Sequence, residues 1–142
     1  MTTAAETEVE SRASIAARRF LVVDDFSTMR RIVSGLIREL GAENVIEAED
    51  GLEALGKLDR NTVDFIISDW NMPKMTGLEL LKAVRADQRF SDIPLLLITA
   101  EARKENIVEA VREGADGYIV KPFTSNVLGD KIKAILKRRN PA

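Results

Sequence analysis

Residues 20–41 read FLVVDDFSTMRRIVSGLIRELG, an apolar run that stops at two adjacent aspartates and restarts with a different period. FLVV is the apolar block of a short buried strand, and Asp24 and Asp25 close it. Beyond them Met29, Ile32, Val33, Leu36, Ile37 and Leu40 recur at three- and four-residue spacings, the apolar face of an amphipathic helix. Ser27 can cap that helix, and Gly41 can take the left-handed conformation past its end. One strand–helix unit is therefore legible here, with an acidic pair at its joint.

The same alternation continues along the chain. NVIEAE (44–49) reads as a strand, and GLEALGKLDR (51–60) as a helix weakened by Gly56. DFIISDW (64–70) is a second apolar strand ending in an acid. The loop NMPKMTG (71–77) leads into the helical LELLKAVRA (78–86). IPLLLITA (93–100) is a buried strand followed by a helix over residues 102–113. DGYIV (116–120) is the fifth strand, Lys121-Pro122 interrupts, and residues 125–138 read as the last helix. Five β-α repeats with Val/Ile/Leu-rich strands predict an α/β fold, a parallel sheet covered on both faces. Right-handed crossovers leave few arrangements, and five strands predict the flavodoxin-like doubly wound order 2-1-3-4-5. Residues 1–19 contain three Glu and three Arg among small residues. They are expected to form a mobile tail, with a short frayed helix around residues 8–18 as the alternative. The folded domain is expected over residues 20–139.

Composition narrows the chemistry. The 142 residues carry 23 acids and 21 bases, a net charge of −2, which favours neither nucleic acid nor an anionic membrane. There is no cysteine and no histidine, so disulfides, thiolate chemistry, imidazole catalysis and zinc sites of the usual kind are excluded. A metal on this chain must be held by oxygens, which points to Mg²⁺, Ca²⁺ or Mn²⁺. No apolar run is long enough to span a bilayer and the first residues do not form a secretory signal, so a cytoplasmic protein is expected.

In the predicted sheet order, ligands lie beyond the carboxyl ends of the strands, beside strand 1. Asp24 and Asp25 end strand 1, Asp69 ends strand 3, Thr99 ends strand 4 and Lys121 ends strand 5. Each residue alone has an ordinary reading as a cap, a turn residue or a solvated lysine. Together, on four strand ends, they form a chemical kit. Two unit charges about 4 Å apart interact by roughly 4 kcal/mol at an effective dielectric near 20. Three clustered carboxylates therefore need a divalent cation plus Lys121, or one must hold a proton. Mg²⁺ suits such a site, since it keeps waters and phosphate oxygens beside one or two carboxylates. Asp69 is the candidate nucleophile, forming an aspartyl phosphate. Asp25, with Asp24 directly or through water, would hold the metal, and the Asn71 backbone carbonyl can complete it. Lys121 and Thr99 would bind phosphoryl oxygens, and Pro122 can form a cis bond that aims the amine inward.

The strings VVDDF, SDWNMP, ITA and YIVKPF, at these spacings, resemble the receiver domain of two-component response regulators. Longer strings such as FLVVDDFSTMRRIV, ISDWNMPKMTGLELL, TAEARKENI and GYIVKPFT resemble its single-domain chemotaxis members. The resemblance covers residues 20 to about 139. It implies a phosphoacceptor at Asp69 and Mg²⁺ ligation, one ion per chain, by Asp24, Asp25, Asp69 and the Asn71 carbonyl. It also implies family roles for Thr99 and Lys121, and lifetime tuning by Asn71 and Glu101. The implied phosphoryl donor is a CheA-like histidine kinase, and the implied target is the flagellar motor switch, with a phosphatase as a further partner. It favours a switch in which Thr99 turns toward phosphate and the Tyr118 ring rotates inward. The surface reshaped by that motion would present Lys104, Ile107, Val111, Tyr118 and Lys131 to a partner.

Three departures are noted: Thr76 stands where the family often has Asp, which is expected to loosen that turn; Asp116 and Gly129 are expected near the output surface. A phosphate-sink receiver is an alternative role. An aspartyl-nucleophile phosphohydrolase is a second alternative, disfavoured because its nucleophile would sit in a D-x-D motif after strand 1. A flavodoxin-type FMN carrier would need a phosphate-binding loop where DDFST stands. The segment after Phe123 is short for a DNA-binding effector, and KRR (137–139) reads as a solvated helix end. Action by docking onto other proteins, as a monomer, is expected; apart from its own phosphorylation and dephosphorylation, the chain is not expected to be an enzyme.

Overall fold

A computed structural model describes the fold over residues 3–101 and 103–139. Five strands form one sheet: β1 (Arg19–Val23), β2 (Asn44–Ala48), β3 (Phe65–Asp69), β4 (Leu95–Thr99) and β5 (Gly117–Val120). Every pairing is parallel and the order is β2-β1-β3-β4-β5, as the alternation of strands and helices predicts. Six helices accompany it: α1 (Ala4–Ala16), α2 (Ser27–Glu39), α3 (Gly51–Arg60), α4 (Gly77–Ala86), α5 (Lys104–Arg112) and α6 (Ser125–Arg139). Among the described residues no helix is long and apolar enough to cross a membrane.

The near-continuous apolar strands are explained by burial on both faces. Phe20, Val22, Phe65, Ile67, Leu96 and Ile98 point to one side, where Val33 and Ile37 of α2 and Leu128, Ile132 and Ile135 of α6 meet them. Leu21, Val23, Ile66, Leu95 and Leu97 point to the other, against α3, α4 and α5. Alternating side chains thus supply two cores from one strand, the pattern expected of a covered parallel sheet. The Phe20 and Phe65 rings, neighbours across β1 and β3, stand 5.3 Å apart.

Local chemistry departs from the sequence expectation in several places. The alternative, helical reading of the first residues is the one the structure supports, with α1 over residues 4–16 rather than 8–18. Its sequence lacks an apolar stripe since essentially one large side chain, Ile15, enters the core, fully buried beside α2 and α6. Arg12 donates to the Glu39 carbonyl at 2.9 Å and lies over Gly41. Gly41 takes φ +121°, and the amides of Gly41 and Ala42 close on the carbonyls of Arg38 and Ile37, a Schellman ending. Ser27 does not cap α2: the helix begins at Ser27 itself, and the flanking Phe26 amide is taken by Asp24 Oδ1 at 2.9 Å. Helix α5 begins at Lys104; Ala102, included in the expected helix, lies outside the described residues, as do Met1 and Thr2 of the expected tail.

Thr76 does not loosen its turn. It caps α4 in a reciprocal box with Glu79, the two hydrogen bonds measuring 3.1 and 3.0 Å. Gly129 is buried, and a Cβ there would stand 3.0 Å from Leu40 Cδ2, so it permits close approach of α6 to α2. Asp116 is not at the output surface but at the amino end of β5, where it accepts from Arg85, Arg139 and the Leu95 amide. Arg138 donates to its carbonyl at 2.7 Å. The KRR end of α6 is therefore a charged clamp as well as a helix terminus.

Candidate functional site

Parallel strands all end at the same pole, and that pole carries the acids. Asp24 follows β1 and Asp69 is the last residue of β3; these two are 2% and 6% exposed. Asp25, next along the chain, is exposed and opens the group to solvent. One carboxylate oxygen from each of Asp24, Asp25 and Asp69 lies within 4.8 Å of the others. Lys121, just past β5, reaches across with Nζ 2.7 Å from Asp69 Oδ1. The Lys121–Pro122 bond is cis, as the sequence allows.

Electrostatics follow from the burial. Burial pushes the Asp69 carboxyl above the ordinary aspartate value; the Lys121 ammonium opposes that rise and the Asp25 charge adds to it. Asp24 is also pushed up, first by burial and then by Asp69 and Asp25, against the Phe26 amide and Lys121. Both shifts come first from burial, which the Lys121 ammonium and the backbone amides do not fully offset. An all-oxygen donor set, clustered, half-open and short of positive charge, is chemically suited to hold a divalent cation.

Neighbouring contacts hold the acids in place. Arg30, in the first turns of α2, donates to the Asp24 carbonyl at 2.7 Å and pairs with Glu47 of β2 at 2.9 Å. Trp70, adjacent to Asp69, is fixed by its amide to Ile98 O and by its carbonyl to the Gly77 amide, both at 2.8 Å. A Cβ at Gly77 would collide with the Asp69 carbonyl, so only glycine lets α4 start so close to the nucleophile candidate. Sequence reasoning missed Arg30 as a support, although its position six residues after Asp24 on the helix was visible.

The remaining predicted residues fall in two groups. Thr99 is buried at the end of β4, but its hydroxyl donates to the Glu101 carbonyl at 2.9 Å and accepts from the Glu101 amide at 3.2 Å. It is thus engaged with its own loop. Glu101 is exposed and pairs with Arg103 at 2.8 Å. Asn71 lies exposed on the β3–α4 segment, two residues beyond Asp69. Tyr118 is half-buried on β5 in register with Leu97, so it shares a sheet face with Thr99 one pleat away. Lys131 of α6 sits over its ring at 5.5 Å. Lys104, Ile107 and Val111 follow one another along α5 at helical spacing. Val108 and Val127 are also exposed on α5 and α6, and sequence periodicity alone does not separate them from core positions.

Comparison with known proteins agrees with this geometry. The family described as the response regulator receiver domain matches residues 20–133. The chain is 53% identical over 122 residues to the chemotaxis protein CheY of Pseudomonas aeruginosa, covering 86% of this chain and 98% of that one. It is likewise 53% identical over 120 residues to CheY-3 of Vibrio cholerae, covering 84% and 92% of the two chains. The solved structure of Vibrio cholerae CheY4 superposes with a TM-score of 0.78 at 39% identity, over 83% of this chain and 98% of the other. A receiver domain from a Syntrophus aciditrophicus histidine kinase superposes with a TM-score of 0.79 at 28% identity, over 89% and 95%. A two-core parallel sheet with clustered acids at one pole, and a family match across four-fifths of its length, place this chain in the response regulator receiver domain family, as a CheY-like chemotaxis regulator.

Proposed function

We propose that the chain is a phosphorylation switch that accepts a phosphoryl group on Asp69 from a CheA-like histidine kinase in a Mg²⁺-dependent reaction. The observation that carries the reading is the convergence of Asp24, Asp25 and Asp69 within 4.8 Å, with Lys121 2.7 Å from Asp69. An Asp69 carboxylate oxygen attacks phosphorus, the phosphorus–nitrogen bond of the donor phosphohistidine breaks, and the imidazole leaves with that electron pair. Lys121, freed from its ion pair, binds a phosphoryl oxygen, and Thr99 turns from Glu101 to donate to another. Asp24, Asp25, Asp69 and the Asn71 carbonyl would hold Mg²⁺, which when bound neutralises charge on the carboxylates and the phosphoryl oxygens.

Release of Thr99 from its loop makes room for Tyr118 on the same sheet face. Rotation of that ring leaves the Lys131 contact and changes the surface shared by Lys104, Ile107, Val111, Tyr118 and Lys131. The flagellar motor switch is the proposed partner of the altered surface. Hydrolysis of the acyl phosphate, tuned by Asn71 and Glu101, returns the resting state, alone or with a phosphatase. The phosphoryl group drives the change only to the extent that it binds the active state better than the resting one.

The test is labelling by phosphoramidate or acetyl phosphate. Labelling of the wild-type chain should require Mg²⁺ and should be absent in Asp69→Ala. A wild-type chain that stays unlabelled with Mg²⁺ present sinks the reading. Capture by a motor-switch peptide of the phosphorylated chain only would support the motor role, whereas equal absence of capture in both states would favour a phosphate sink.

A further inference from the structure

The segment between Asp69 and α4 is pinned in its middle by a contact that no part of the phosphoryl chemistry requires. Pro73, Lys74 and Met75 form a three-residue turn closed by the Met75 amide on the Pro73 carbonyl at 2.7 Å. Lys74 at its centre has φ +68°, a conformation non-glycine residues rarely adopt, so the surroundings must hold it. The surroundings are the amino end of α3. Lys74 Nζ lies 3.5 Å from Asp50 Oδ2, and the other oxygen of that buried carboxylate caps α3 through the Glu53 amide at 2.8 Å. Met75 rests directly on Gly51: a Cβ there would stand 2.7 Å from Met75 Cβ, Cγ and Sδ.

Asn71 therefore sits between two fixed points. Trp70 is tied to β4 and α4 on one side, and Lys74 and Met75 are docked on α3 on the other. Buried Met72 also enters the α3/α4 core between them. Only residues 71–73 lie between those two points, with Met72 buried among them.

We propose that Met75, seated on Gly51, is a positioning residue that fixes the segment carrying the Asn71 carbonyl in the shape a small octahedral cation requires. The inference rests on the proposed Mg²⁺ site. It adds that α3, which contributes no ligand, sets the selectivity of that site. Mg²⁺ demands near-ideal octahedral geometry, while Ca²⁺ accepts longer and irregular coordination. Loosening the segment should then weaken Mg²⁺ binding more than Ca²⁺ binding, a change that mere loss of stability would not produce.

The experiment titrates the full chain with MgCl₂ and with CaCl₂, following Trp70 fluorescence. Gly51→Ala fills the seat and Met75→Ala removes the side chain that occupies it. Each should raise the Mg²⁺ dissociation constant about tenfold, the lower end of the effect of removing a ligand's support, and the Ca²⁺ constant less than about twofold. Met75→Leu, which restores the bulk, should keep the wild-type ratio of the two constants. Folded Gly51→Ala and Met75→Ala chains with the wild-type ratio would overturn the inference alone. A wild-type chain without Mg²⁺ binding would overturn the proposed function and this inference with it.

Discussion

The two poles of the sheet treat buried charge in opposite ways. At the amino pole one carboxylate, Asp116, meets two guanidinium groups and a backbone amide. Arg85 lies 2.9 Å away and Arg139 2.7 Å, and the Leu95 amide donates at 2.8 Å. Arg85 also donates to the carbonyls of Gly114, Ser91 and Ile93, so its charge is satisfied from several elements at once. At the carboxyl pole three carboxylates share a single lysine. The chain completes the first network and leaves the second short of positive charge. Closed networks of the first kind fasten elements together. At the incomplete one burial raises the Asp24 and Asp69 carboxyls above their ordinary range despite Lys121, and an added cation would oppose that rise.

That contrast can be broken by substitution, and the expected effects differ in size and sign. Asp116→Ala should have the largest effect on the fold. It strands Arg85 and Arg139 in partly buried positions, and loss of one partner from such a network costs about 3 kcal/mol. Urea unfolding of the metal-free chain would show this, with Mg²⁺ affinity unchanged; a cost under about 1 kcal/mol would mean that the clamp is not what secures the end of α6.

Asp25→Ala should leave the fold nearly untouched and act on the cation. Removing one negative charge about 4 Å from a divalent ion in a water-like dielectric loses about 2 kcal/mol, or about 30-fold in the Mg²⁺ dissociation constant. Equal Mg²⁺ binding by variant and wild type would remove Asp25 from the site. Asp24→Asn should reverse the usual sign and stabilise the metal-free chain. Burial raises the folded carboxyl above its reference of 3.8, so folding favours the protonated form. The contribution of that group to stability is full below the unfolded value and is lost as pH rises through the folded value. An asparagine keeps the bond to the Phe26 amide without the charge. The variant should therefore unfold at a higher temperature than wild type at neutral pH, with the gap closing as pH falls toward 3.8. A gap independent of pH would assign the effect to packing.

Much of this was open to reading from residues alone, and particular elements show why. FLVV and FII alternate between two cores, and a run apolar at every position has few homes other than a covered parallel strand. Once the strand order follows, Asp24, Asp25, Asp69 and Lys121 converge because every parallel strand ends at the same pole. Helix α1 was legible only as the alternative to a tail. Helix α1 is held by Ile15 and by Arg12 against Glu39 and Gly41, and one buried side chain leaves no period to detect. The reading of Asp116 failed for a related reason. Its place beside β5 was legible, but its partners Arg85 and Arg139 lie 31 and 23 residues away in sequence. Thr76 shows a subtler limit: the capping box is written in Thr76 and Glu79, and a threonine in place of the family's aspartate keeps the cap rather than loosening the turn.

The sequence carries the architecture and the cast of the site: two residue periods mark the strands and helices, and crossover handedness narrows their order. Tertiary structure alone decided how those parts are held. It set Met75 on Gly51, brought Leu40 against Gly129 and closed Asp116 between two arginines. The physical reason is range. Hydrophobic period and turn chemistry act over a few residues and leave a local signature, whereas these contacts depend on distant surfaces meeting at van der Waals and hydrogen-bond distances, which only the packed fold specifies.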